Sequence, residues 1–205
     1  MKKFGWILIF TGALMITFYN VYVSSINIVE NEKAEEYIEI TSLSEEVEEI
    51  EEVVNEEIIE EEKKEEPKYE INYTAVLEIP KINLKRGVVD STNNFKSLNY
   101  AISVDRHSKY PNNNGNFILY AHSGSSSIAY FKNLNKVELN DDIYVYYSGI
   151  KYKYTIIKKY DIEKTGKAKI ISSTSDKYIT LITCNQNRKG YQTVIIGKLD
   201  IEKTY

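Results

Sequence analysis

The chain has 205 residues, a formal net charge of −4, one cysteine, two histidines and 18 tyrosines. A single cysteine excludes an internal disulfide, and one cysteine with two histidines is too few for a structural zinc site, so no metal is expected. No glycine-rich phosphate loop or nucleic-acid-binding motif is present, so neither a nucleotide cofactor nor a nucleic acid partner is expected.

The charge is unevenly distributed. No charged residue lies between Lys3 and Glu30, and Phe4 to Val23 is mostly apolar, long enough to cross a bilayer core as a helix. Trp6 and the pair Tyr19 and Tyr22 suit the two interfaces, and Lys2 and Lys3 predict a cytoplasmic N-terminus with an extracellular remainder. Val23-Ser24-Ser25 is a weak cleavage signal, so residues 1–25 are expected to form an uncleaved single-pass membrane anchor rather than a signal peptide. Residues 26–68 read as a Glu-rich stalk: from Glu30 to Lys68 there are 18 Glu against 4 Lys. Leu43, Val47, Ile50, Val54 and Ile58 share one helical face there, while Glu pairs four apart oppose a helix, so a partly helical spacer is expected in preference to a short coiled coil. Residues 69–205 carry a net +8 and form the folded domain, after Pro67 closes the stalk.

Within that domain seven runs rich in Ile, Val, Thr and Tyr predict strands: Tyr73–Ile79, Gly87–Val89, Asn116–His122, Asp142–Tyr147, Lys151–Ile162, Tyr178–Cys184 and Gln192–Ile201. Ser148-Gly149 is a hairpin signal. Short helices are expected over Asn93–Leu98 and Ser126–Leu134, the second with Ile128, Phe131 and Leu134 on one face. Seven or eight strands with short helical connections predict a mainly β fold, a closed or nearly closed barrel.

Cys184 ends an apolar run, Tyr178-Ile-Thr-Leu-Ile-Thr-Cys184, where the chain turns polar. A lone cysteine is usually a small buried hydrophobe, but at a strand exit it can serve as a nucleophile if a base lies near. His122, in Phe117-Ile-Leu-Tyr-Ala-His122-Ser-Gly124, also ends a strand and can be that base. His107 lies in a polar stretch with no strand behind it and reads as surface loop.

At these residues the domain resembles the sortases, membrane-anchored cysteine transpeptidases of Gram-positive bacteria. Leu77-Glu-Ile-Pro-Lys-Ile-Asn83 is similar to the family's opening strand, and Tyr110-Pro-Asn-Asn-Asn-Gly-Asn116 to the turn before its histidine strand. Thr180-Leu-Ile-Thr-Cys184 matches the Thr-Leu-x-Thr-Cys motif, the most specific of the set. The single anchor and compact domain are similar to class D or class B members. The resemblance implies a sortase-type β-barrel and a thioacyl enzyme on Cys184, formed by cleaving an LPxTG-like sorting signal. His122 would protonate the leaving amine and deprotonate the incoming one, and an imidazolium beside the thiol would favour the thiolate. Implied partners are sorting-signal-bearing surface proteins and an amine of the peptidoglycan precursor or cross-bridge; Thr183, Ala121 and Gln192 would contact substrate. No cofactor is implied. The family's arginine, which steadies the oxyanion, is replaced by Gln192 at the matching place. Arg188, four residues earlier, is the expected substitute, with a neutral hydrogen bond from Gln192 as the alternative. A Cys–His hydrolase using water, or a non-catalytic surface-binding module, are the competing functions.

Overall fold

The computed structural model describes residues 2–43, 72–90, 101–165, 168 and 170–205, with 2–10, 26, 27, 29, 30 and 43 as backbone alone. Eight strands close a barrel: β1 (Ala75–Ile79), β2 (Leu84–Asp90), β3 (Ile102–Val104), β4 (Gly115–Tyr120), β5 (Asp142–Tyr147), β6 (Ile150–Glu163), β7 (Lys177–Cys184) and β8 (Tyr191–Thr204). Around the barrel the order is β1-β2-β3-β4-β7-β8-β6-β5, with β5 pairing back onto β1. Closure leaves no open sheet edge and accounts for the many β-branched and aromatic residues in a chain with few glycines.

Alternation along each strand fills the barrel. Leu77, Phe117, Leu119, Val145, Tyr154, Ile156, Ile179, Leu181 and Ile195 belong to one fully buried cluster. The opposite faces of β4, β7, β8 and β6 are apolar too. There Ile118, Ile182, Val194 and Ile196 form a second buried cluster, packed by Tyr120, Tyr160, Ile162 and Tyr178 and by Ala168 and Ile171 from the segment before β7. Strands covered on both faces read as continuous apolar runs rather than as alternation, which is the pattern of Ile179-Thr-Leu-Ile and Val194-Ile-Ile.

Two pairings matter most. β4 and β7 run parallel, so both reach the same rim of the barrel, and β8 returns antiparallel to β7 from that rim. The β5–β6 hairpin turns at Ser148 and Gly149, both at positive φ (48° and 70°), as a two-residue turn of the I′ kind requires.

Two sequence expectations need adjustment. β3 was not among the predicted strands; only three residues long, it has no room to show a period. Ser126–Leu134 is a chain of single turns ending in a 3-10 segment (Leu134–Lys136), not an α-helix. Its bonds span three residues, Ala129 N–H to Ser126 O and Lys132 N–H to Ala129 O, and the Phe131 N–H is taken by the carbonyl of His122. The spacing of Phe131 and Leu134, both buried, fits three residues per turn equally well. The helix expected over Asn93–Leu98 lies outside the described residues, as does the stalk from residue 44 to 68.

The long α1 (Lys2–Leu43) spans the expected anchor and the first part of the expected stalk without a break. Its C-terminal half docks on the outside of the barrel. Ala34 is fully buried against Val76 and Tyr146, the Tyr37 hydroxyl donates to the carbonyl of Thr74 at 2.6 Å, and Lys85 pairs with Glu35. Among the residues whose side chains are described, no helix is long and apolar enough to cross a membrane.

Candidate active site

The parallel register carries the site. Tyr120 on β4 sits opposite Ile182 on β7, the last pair of the ladder, and His122 and Cys184 each follow two residues further along their chains toward the same rim. Two side-chain bonds hold the chains together beyond the last ladder pair. The buried Thr183 Oγ1 donates to the carbonyl of Ala121 at 2.8 Å, and Ser123 Oγ donates to the carbonyl of Cys184 at 2.5 Å. The His122 carbonyl accepts the Phe131 N–H at 3.0 Å, tying the histidine segment to the following turns. Cys184 and His122 are both exposed, whereas the residue before each, Thr183 and Ala121, is buried. Gly124, just after the histidine, has φ +121°, a conformation that favours glycine.

Period-two alternation puts Cys184 and Ile182 on the outer face of the sheet. On β8 the residue opposite Cys184 is Gln192, and on β6 the residue opposite Gln192 is Ile162. Two residues beyond Ile162 comes Lys164, whose backbone N–H donates to the carbonyl of Gly190 at 2.8 Å and so prolongs the β6–β8 ladder. Its ammonium Nζ lies 3.8 Å from the Cys184 sulfur.

The loop after Cys184 is organised by Asn185. Its Oδ1 accepts the backbone N–H groups of Asn187 and Arg188, each at 2.9 Å, and its Nδ2 donates to Thr193 Oγ1, which in turn donates to Asp161. Gln186 reaches across to the carbonyl of Lys132 at 2.8 Å. These bonds fix the rim on both sides of the thiol.

The expected site residues therefore separate into groups. Cys184, His122 and Gln192 share the rim. Arg188 does not reach toward the sulfur: its guanidinium carbon sits 3.3 Å from the centroid of the Tyr191 ring, and Tyr191, next to Gln192 in the strand, faces the other way. Thr183 and Ala121 have side chains inside the barrel wall, so only their backbone is available to a substrate. His107 is 69% exposed with Nδ1 3.0 Å from Asp105, and it lines a cavity of about 420 Å³ at the start of β4, the opposite end from Cys184. Among the described residues there is no cluster of His, Cys, Asp or Glu able to hold a metal.

Sequence reasoning missed Lys164 and Ser123. Ser123 adjoins a residue already singled out. Lys164 was recoverable from alternation along β6, since Tyr160, Ile162 and Lys164 fall on one face, but only with the β6–β8 register in hand.

A family model described as the sortase domain matches residues 77–200. No curated protein sequence matches the chain. Among solved structures, sortase A of Listeria monocytogenes is similar at 25% identity with a TM-score of 0.56, over 65% of this chain and 90% of that one. A sortase D5 transpeptidase of Clostridium perfringens is similar at 21% identity and TM-score 0.56, over 63% and 80%. Sortase C1 of Streptococcus agalactiae follows at 23% and 0.57, over 63% and 68%. With the motif match spanning more than half of the chain and the same closed barrel beneath it, the chain belongs to the sortase family, the cysteine transpeptidases.

Proposed function

We propose that Cys184 is the acylated nucleophile of a membrane-anchored transpeptidase that cleaves an LPxTG-like sorting signal and passes the acyl group to a cell-wall amine. The observation that carries this reading is the parallel β4–β7 register, which delivers an exposed thiol and an exposed imidazole to one rim. In the first half-reaction the Cys184 thiolate, its proton held by His122, forms a bond to the threonine carbonyl carbon of the signal, and the carbonyl π pair moves to oxygen. As that pair returns, the C–N bond breaks and His122 delivers a proton to the departing amine. In the second, His122 takes a proton from the incoming amine, whose nitrogen attacks the thioester carbon and releases the thiolate beside the protonated imidazole. Sortases differ from hydrolases only in which nucleophile arrives second, so the shape of the rim decides between amine and water.

The anchor is supported by the apolar run from Phe4 to Val23 and by α1, which leaves Leu14, Met15, Ile16, Phe18 and Val21 exposed. Lipid would cover those side chains and leave the catalytic domain outside the cell, where sorting signals and cross-bridge amines are found.

Mass spectrometry of the protein incubated with a panel of sorting-signal peptides tests the reading. A thioacyl adduct on Cys184 that disappears in His122→Ala, and a transpeptidation product once triglycine is added, are the expected results. An adduct that yields only acid at saturating triglycine would make the protein a hydrolase. No adduct with any peptide would remove the sorting-signal reading.

A further inference from the structure

We infer that Lys164 supplies the positive charge of the active site, standing over Cys184 where Gln192 contributes none. Three observations converge on it. The Lys164 Nζ is 3.8 Å from the Cys184 sulfur, within the range of a hydrogen bond to sulfur. Gln192, directly opposite Cys184 on β8, carries a neutral amide. The nearest arginine in sequence, Arg188, is stacked on Tyr191 on the other side of the strand.

The arrangement follows from the strand row. Cys184, Gln192 and Ile162 lie side by side across β7, β8 and β6, and Lys164 stands one step further toward the rim on the same face as Ile162. A lysine has a four-carbon stem, so an ammonium rooted two strands away can reach over a glutamine to the thiol. The bond from Lys164 N–H to Gly190 O holds the root of that stem in place.

The role rests on the thioacyl mechanism proposed above. Attack moves negative charge from sulfur to the carbonyl oxygen beside it, and the oxygen loses that charge when its pair re-forms the carbonyl and the amine leaves with the proton of His122. An ammonium at this position stabilises both charges by hydrogen bonding and keeps its own proton throughout, so His122 remains the only proton carrier. Lys164 thus does on β6 what an arginine at position 192 would do on β8.

The test has two readouts on the full chain. Cys184 is the only cysteine, so alkylation reports on it alone. Iodoacetate is anionic and iodoacetamide neutral, and the ratio of their rates senses a cation beside the sulfur independently of how much thiolate is present. Lys164→Ala should lower that ratio about fivefold, the value of one unit charge near 4 Å in water. Lys164→Arg should keep it, and Arg188→Ala should leave it unchanged. In acylation by a sorting-signal peptide, Lys164→Ala should lose about 100-fold in rate, and adding Gln192→Arg should restore much of that loss. An unchanged alkylation ratio in Lys164→Ala, or an equal fall in Arg188→Ala, would overturn the assignment. A wild-type protein that forms no adduct would defeat the sorting-signal reading instead, with the alkylation ratio still deciding Lys164.

Discussion

Thr183 Oγ1 donates to the carbonyl of Ala121 across the parallel β4–β7 pair, at 2.8 Å and out of solvent. With Ser123 Oγ bonded to the carbonyl of Cys184 one step further, it stitches together the two chain ends that carry the histidine and the cysteine. Neither hydroxyl is one of the proposed reacting groups; both hold together the chain ends that carry them.

Thr183→Val keeps the side-chain shape and removes the donor, leaving the Ala121 carbonyl without it in a buried place. The expected cost is about 1–3 kcal/mol in stability. Acylation should slow as well, because the imidazole loses part of its support, and Thr183→Ser should recover most of both. Urea unfolding and the acylation rate check this together. A valine variant with wild-type stability would show that the bond contributes nothing.

Arg188→Ala should leave acylation within about threefold of wild type. The guanidinium is exposed and spends its contact on the Tyr191 ring, an interaction worth about 0.5–1 kcal/mol at such sites. The expected phenotype is therefore a slightly looser loop between Asn185 and Gly190, visible as a small drop in unfolding midpoint. A collapse in turnover with the midpoint unchanged would instead put Arg188 at the oxyanion.

How much of this site is legible in the sequence depends on the range of the signal. Cys184 and His122 each end an apolar strand and precede a polar loop, a local pattern that needs no partner strand to be read. Gln192 is found by counting back from the Thr193-Val-Ile-Ile-Gly197 strand. Lys164 has no such marker: it is one lysine among many in a basic domain, and only the β6–β8 register and the course of its side chain bring it to the sulfur. Arg188, stacked on the Tyr191 ring, illustrates the complementary limit. Proximity in sequence to Cys184 says nothing about which face of β8 its side chain follows, and Tyr191 draws it to the other one. In the fold, strands long enough to show a pattern were recovered within a few residues of their ends, while β3 was too short. The Ser126–Leu134 segment misled because a spacing of three suits both an α-helix and successive 3-10 turns.

Alkaline pH should destabilise the barrel before all its tyrosines ionise. Burial pushes Tyr152 up to about 12, with Glu202 and Tyr147 adding to the effect, and burial pushes Tyr37 up to about 12 as well. In the unfolded chain both titrate near the ordinary value of about 10. Between those values the unfolded state has lost protons that the native state retains, so stability is intact below about pH 10 and falls as pH rises toward 12. Phenolate absorbance and circular dichroism followed together should show a first group of tyrosines ionising in the folded protein, then the remainder appearing with loss of structure. A single smooth titration with structure retained throughout would contradict the burial of these hydroxyls.

Tyr154 offers the opposite kind of test. Its side chain is fully buried in the barrel, and among the described residues its hydroxyl has no hydrogen-bond partner. A desolvated hydroxyl without a partner costs about 1–3 kcal/mol, while the ring around it contributes the full value of apolar burial. Tyr154→Phe keeps the ring and removes only the oxygen, so the variant should be as stable as wild type or more stable, by up to about 1–2 kcal/mol. Most substitutions in a packed core destabilise, which makes the sign the decisive observation. Tyr154 pairs with Ile143 on β5 and Leu199 on β8, well away from the rim, so acylation should be unaffected. A clear loss of stability in urea would mean that the hydroxyl is satisfied in solution, and that this part of the barrel interior is wetter than its lining of Ile, Leu and Phe implies.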